Sequence, residues 1–308
     1  TWPCRITFLF EGEEESGSPS LTPFLEANKD ELSQPDLALI CDTGLFNRDT
    51  PAITTMLRGM LGEEITITGP DKDLHSGLFG GAAINPTRVL ARIIARLHDD
   101  TGRITVPGFY DGVEETAPEV KAQWEALGFD AAAFLGEVGL STPAGEQGRT
   151  VLEQLWARPT CEVNGIEAGY TGDGFKTVLP SKATAKISFR LVGQQDPHAI
   201  RKSFRNMVTD MLPADCTVEF HDHGAAPASV MSTDNPAFEA ARVALSDEWP
   251  NDAAFLGGGG SIPIAGHFKE ILGLDSMLIG FGLDDDAIHS PNEKYDVRSF
   301  HKGMRSWA

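Results

Sequence analysis

Phe10-Glu11-Gly12-Glu13-Glu14-Glu15-Ser16-Gly17-Ser18 is the stretch on which the fold turns, and the apolar run Ile6, Phe8, Leu9 leads into it. Apolar run, glycine, acids and Ser-Gly-Ser read as the carboxyl end of a buried strand passing into a helix. In open α/β sheets, ligands bind just outside such strand ends. The carboxylates of Glu11, Glu13, Glu14 and Glu15 repel one another, and either solvent or a divalent cation must offset that repulsion. A solvated acidic turn capping the next helix is the plainer alternative.

Working outward, residues 20–32 read as an amphipathic helix through Leu21, Phe24, Leu25 and Leu32. Residues 36–41 read as a second short buried strand ending in Asp42-Thr43-Gly44. Two strands with a helix between them predict a βαβ unit and a parallel sheet, with both acidic sites at strand carboxyl ends. From about residue 60 the texture changes. Strands are expected at 64–68, 183–192 and 217–220, and helices at 85–98 and 197–212. The interval 99–160 is loop-rich, with short helices near 116–127 and 149–156. This order suggests an antiparallel α+β domain with one open face. After Asn235-Pro236 the α/β texture returns. It comprises a helix to about 248, a strand at 253–256 running into Gly257–Gly260 and Ser261, a helix at 263–272, a strand at 276–281 and a last helix. The expected architecture is therefore a split α/β domain, residues 1–59 and 229–308, with an α+β domain of residues 60–228 inserted into it.

The chain has 308 residues, 41% hydrophobic and 23% charged, with a net charge of −20. That charge argues against nucleic acid or an anionic membrane as partner. No apolar run approaches the roughly 20 residues of a membrane span, and none reads as a secretory leader. Cys4, Cys41, Cys161 and Cys216 are widely spaced without a C-x-x-C, as expected of reduced thiols in a cytoplasmic protein. Thr1 stands where an initiator Met would be, and both ends look cut, so a piece of a longer protein is expected.

Glu15, Asp42 and His289 each follow a buried strand, and carboxylate plus imidazole suits Zn²⁺ or Mn²⁺ at a hydrolytic site. Adjacent Glu14 and Glu15 can divide two roles, ligand and general base. The alternatives are a turn or helix cap for Asp42 and a loop histidine that binds nothing for His289.

The segments F-E-G-E-E-E-S-G-S, C-D-T-G, D-L-H-S-G-L-F-G-G, G-G-S-I-P and H-S-P-N-E-K-Y occur in that order. The chain resembles the co-catalytic di-metal peptidases that include carnosinase-like dipeptidases, the glutamate-releasing bacterial carboxypeptidase and acetylornithine deacetylase. The dipeptidase branch matches best, over nearly all 308 residues. The resemblance implies a zinc-peptidase catalytic domain split around a ferredoxin-like lid that dimerises. It implies two divalent ions, zinc with manganese or cobalt as substitutes. It makes Glu14 the general base, Glu15 and His289 ligands of one metal and Asp42 a ligand of the other. His75, on the lid, would reach the partner subunit's active site and steady the oxyanion. Thr177 and Arg190 would hold the substrate's terminal carboxylate, and Gly260 and Ser261 would line the substrate pocket. A guanidinium forking onto a carboxylate suits Arg190. The family's H-x-D and bridging Asp would lie before Thr1, so three of five metal-binding side chains are in this sequence.

The implied activity is metal-dependent hydrolysis of the amide bond in dipeptides or short peptides with a free carboxyl end, by a homodimer. The alternatives are an inactive fragment, a metal-free dimerising module of the same fold, or an N-acyl-amino-acid deacylase. Asp42-Thr43-Gly44 has no second such triplet, which rejects an aspartic-protease dyad. No G-x-S-x-G supports a serine hydrolase, and Gly257–Gly260 lacks the lysine of a phosphate loop.

Overall fold

The computed structural model describes residues 4–260 and 262–308. In chain order its main strands are β1 (Ala38–Ile40), β2 (Ala52–Leu57), β3 (Gly59–Thr68), β4 (Thr160–Ala168), β5 (Lys182–Leu191), β6 (Thr217–Ala226), β7 (Ala254–Gly258) and β8 (Ser276–Leu278). Its main helices are α1 (Leu21–Ala27), α2 (Pro86–Ala95), α3 (Pro197–Asp210), α4 (Pro236–Glu248) and α5 (Val297–Ser306). Asn85, Asp196 and Asn235 each precede a proline and accept a backbone N–H of the first turn, which starts α2, α3 and α4. The chain divides into two compact units. One holds the described residues up to Met56, Ser229–Gly258 and Ile262–Ala308; the other holds Leu57–Ala228 with Gly259 and Gly260.

The first unit is built on a mixed sheet in the order β1-β8-β2-β7, with Ser229–Val230 beside β2. β1 and β8 run parallel, Ala38 facing Ser276 and Ile40 facing Leu278, while β2 joins β8 antiparallel. Leu21 and Leu25 of α1 pack with Phe268, Leu272 and Leu274 on one buried cluster. Two expectations are corrected here. Residues 5–10 form no strand and pair with none among the described residues, and Phe8 and Phe10 are 74% and 89% exposed. An apolar run becomes a strand only where a neighbour supplies ladder hydrogen bonds. The predicted helix 20–32 breaks at Asn28, whose side-chain amide donates to the Phe24 carbonyl and competes with the backbone there.

The second unit runs β3-α2-β4-β5-α3-β6, with sheet order β4-β5-β3-β6 and every neighbour antiparallel. That is the ferredoxin-like pattern. Burial alternates strictly along β3. Leu61, Ile65 and Ile67 turn inward with Ile187 and Phe189 of β5, and Val89, Leu90 and Ile93 of α2 and Phe204 and Val208 of α3 close the same core. Glu63 occupies an inward position, fully buried, where Arg201 and Arg205 of α3 grip its two oxygens at 2.6–2.9 Å. An inward carboxylate is tolerated only with such partners.

Candidate active site

In the first unit the acidic stretch sorts its own carboxylates. Glu13 accepts the Ser20 backbone N–H at 3.0 Å and so closes the turn. Glu14–Ser16 forms one 3₁₀ turn, ended by Gly17 in the left-handed region at φ 82°. Parallel pairing of β1 and β8 then fixes the other ligand candidates. The pairing continues past the strands to a bridge between Gly44 and Gly282, with Leu45 donating to the Gly282 carbonyl at 2.9 Å. Asp42 therefore stands at the carboxyl end of β1 and His289 on the loop beyond the carboxyl end of its parallel neighbour.

His289 Nε2 lies 3.7 Å from Glu15 Oε1. His289 itself has φ 60°, and Ala287 and Asn292 on the same loop are also left-handed. Non-glycine residues adopt that conformation uncommonly, asparagine and histidine more readily than alanine. An ionic clamp ties down the chain on either side of this loop. Arg48 bonds Asp296 at 2.6 Å and Asp285 at 3.0 Å, and Lys294 bonds Asp285 and Asp286 at 3.0 and 2.8 Å. Asp286 is buried and also accepts the Leu283 N–H. The Glu14 carboxyl is pushed above its ordinary range by burial first, then by Glu15, Asp42 and Glu11, with His289 opposing. These groups therefore share one electrostatic neighbourhood. Carboxylate and imidazole suit a divalent cation. Among the described residues, however, no three His, Cys, Asp or Glu side chains converge closely enough to hold one. Glu15 and His289 form a pair, not a finished centre.

The second unit carries the remaining candidates. His75 lies in a two-strand ladder, Leu74 facing Leu179 and His75 facing Val178. Its Nδ1 accepts the Gly77 N–H at 3.0 Å, so the neutral ring keeps its proton on Nε2. That nitrogen faces Thr177 Oγ1 at 3.5 Å. Asp73 ties the same ladder down through the N–H and hydroxyl of Ser181. Arg190 lies near the end of β5, half-buried, opposite Met60. Gly260 is exposed, and Ser261 lies outside the described residues. Sequence patterns do not single out Arg58, yet its guanidinium neighbours Arg190 and donates from Nε to the Gly259 carbonyl at 3.0 Å. The Arg48 clamp escapes them as well, because its partners lie about 240 residues away in sequence.

Residues 55–216 match the family described as the peptidase dimerisation domain, and the chain belongs to that family, the M20 peptidases. It is 30% identical over 308 residues to the Cys-Gly metallodipeptidase of Schizosaccharomyces pombe, covering 99% of this chain and 65% of that protein. It is 30% identical over 316 residues to the human Beta-Ala-His dipeptidase, covering 99% and 61%. Among solved structures, an M20 metallo-carboxypeptidase from Sulfolobus solfataricus superposes with a TM-score of 0.84 at 29% identity, covering 96% of this chain and 67% of that one. Human carnosine dipeptidase 1 gives 0.80 at 28%, covering 96% and 63%. The α/β fold with a dimerisation domain is thereby shown. The chain spans about two thirds of the length of these relatives.

Proposed function

We propose that this chain carries most of a metallodipeptidase that hydrolyses the amide bond of dipeptides or short peptides with a free terminal carboxylate. The observation that carries this is the pairing of Glu15 with His289 at 3.7 Å beside a Glu14 carboxyl raised by burial and its acidic neighbours. Glu15, Asp42 and His289 would contribute to holding the divalent metals, two zinc ions by analogy with co-catalytic peptidases. A metal bound there supplies Lewis acidity and lowers the pKa of water. Glu14 takes a proton from the attacking water and returns it to the leaving amine. His75, its Nε2–H set by the Gly77 contact, steadies the oxyanion in the active site of a partner subunit. Thr177 and Arg190 hold the substrate's terminal carboxylate, and Gly260 and Ser261 line the substrate pocket. The homodimer follows from the dimerisation-domain family, and a cytoplasmic setting is proposed from the four free, widely spaced cysteines.

Glu14→Gln and Glu15→Gln separate the two roles in the metal-loaded enzyme. Glu14→Gln is expected to retain metal and lose most of kcat, and Glu15→Gln to lose metal. Equal metal loss in both variants refutes the assignment. For the shared site, His75→Ala subunits mixed with Glu14→Gln subunits should regain activity as hybrid dimers. No recovery after verified subunit exchange would place His75 in its own subunit's site.

A further inference from the structure

His75 and Thr177 sit at the smallest ladder of the second unit, Leu74–His75 against Val178–Leu179. Two pairs of residues make a weak ladder on their own. One backbone bond lengthens it past His75, from the Ser76 N–H to the Thr177 carbonyl at 2.9 Å. At the other end, continuing the register sets Pro180 opposite Asp73, and proline has no N–H to donate. The next N–H, that of Ser181, goes to the Asp73 carboxylate at 2.8 Å, and the Ser181 hydroxyl donates to the same oxygen at 3.0 Å. Hydrogen bonds to an ionised carboxylate are stronger than neutral ones.

Ser181 is also the joint between this ladder and the main sheet. Its carbonyl accepts the Gly69 N–H at 3.0 Å, one residue beyond the Thr68–Lys182 pair that ends β3 and starts β5. Residues 70–73 carry the chain from β3 to His75, and Asp73 ties their far end back to the root of β5, the strand that carries Arg190. From there to the imidazole every link is short. The Gly77 N–H donates to His75 Nδ1 at 3.0 Å, and a Cβ on Gly77 would stand 2.9 Å from His75 Cε1. Ring and turn are thus packed as one body, and the Asp73–Ser181 bonds fasten that body to the sheet.

We propose that Asp73 is a positioning residue for His75: its carboxylate latches residues 73–77 to Ser181 and so holds the His75 ring in the place and tautomer that present Nε2–H to the oxyanion. The catalytic consequence rests on the hydrolase function proposed above for His75; the latch itself does not. A catalytic group displaced by about 1 Å loses on the order of a hundredfold in rate, so releasing the latch acts on kcat.

In the metal-loaded enzyme, Asp73→Ala should lower kcat about ten- to hundredfold, while Asp73→Asn, whose amide oxygen keeps both acceptor bonds, stays within about threefold of wild type. A positioning residue has no effect once the group it positions is gone. Adding Asp73→Ala to His75→Ala should therefore change kcat by less than about threefold. An unchanged kcat in Asp73→Ala, equal losses in Asp73→Ala and Asp73→Asn, or the full loss repeated in the His75→Ala background overturns the proposal. If Asp73→Ala does not fold, Ser181→Ala, which removes the hydroxyl bond alone, decides: a loss of about two- to tenfold in kcat supports the latch, and an unchanged kcat overturns it. If wild type turns over no dipeptide, the hydrolase function fails, and the nitrogen NMR signals of the His75 ring decide the latch at about pH 8.5, where a free imidazole is neutral. Separate Nδ1 and Nε2 signals in wild type that draw together in Asp73→Ala support it, and signals alike in the two proteins overturn it.

Discussion

A Cβ on Gly280 would stand 1.8 Å from the carbonyl oxygen of Thr43, so only glycine lets the two chain segments beyond β1 and β8 lie side by side. That contact sets where Asp42 stands relative to the loop of His289. Gly280→Ala is therefore expected to destabilise the chain by about 3 kcal/mol or more, through backbone displacement that no rotamer change relieves. Chemical denaturation checks this, and a loss below about 1 kcal/mol would mean that the neighbouring backbone yields easily. Glu14, Glu15, Asp42 and His289 are legible as candidates in the sequence because each follows an apolar run and belongs to a short motif. The left-handed backbone at His289 is not legible, since a histidine only weakly favours it, and neither is the Arg48 clamp near its loop, whose partners are far away in sequence. Arg58 is invisible for a similar reason. A single arginine before a glycine acquires meaning only when Arg190 and Gly259 stand beside it.

At the level of elements, the strict alternation of β3 and the apolar stripe of α2 are plain in the sequence because one face of each lies on the core. β4 is hidden: it is an edge strand paired only to β5, polar, and interrupted between Val163 and Gly165 where the register shifts. Residues 5–10 err the other way, since their apolar pattern meets no ladder partner among the described residues. Charge also organises the stretch between α2 and β4. The Arg149 guanidinium bonds Glu115 and holds its carboxyl down at about 2, against an ordinary value of 4.5. A carboxyl depressed on folding contributes stability that is present above about 4.5 and is lost as pH falls toward about 2. Glu115 is 66% exposed, so solvent and salt hold that contribution to about 1 kcal/mol or less. Melting temperature, followed from about pH 6 down to about pH 2, should therefore fall less steeply in Arg149→Met than in wild type. Parallel curves would show that the pair adds nothing to stability.

Taken as a whole molecule, the chain places Glu14, Glu15, Asp42 and His289 in one unit and His75, Thr177, Arg190 and Gly260 in the other. Its net charge of −20 concentrates carboxylates well beyond what its cations neutralise. Each divalent ion needs several ligands to repay its dehydration, and two ions close together need a carboxylate between them. Glu15 and His289 meet, Asp42 adds its field, and no described trio of ligand side chains closes around a point. The chain spans 65% and 61% of its fission-yeast and human relatives, so these residues are not obliged to hold the full metal set unaided. The 308-residue chain by itself is therefore expected to bind at most one Zn²⁺ or Mn²⁺ per chain, weakly and with little preference between them. Calorimetric titration of this chain with each metal, with dipeptide turnover measured in parallel, is the test. Two tight sites per chain together with turnover would mean that the ligand set assigned to Glu15, Asp42 and His289 is wrong, and that other side chains complete the centre.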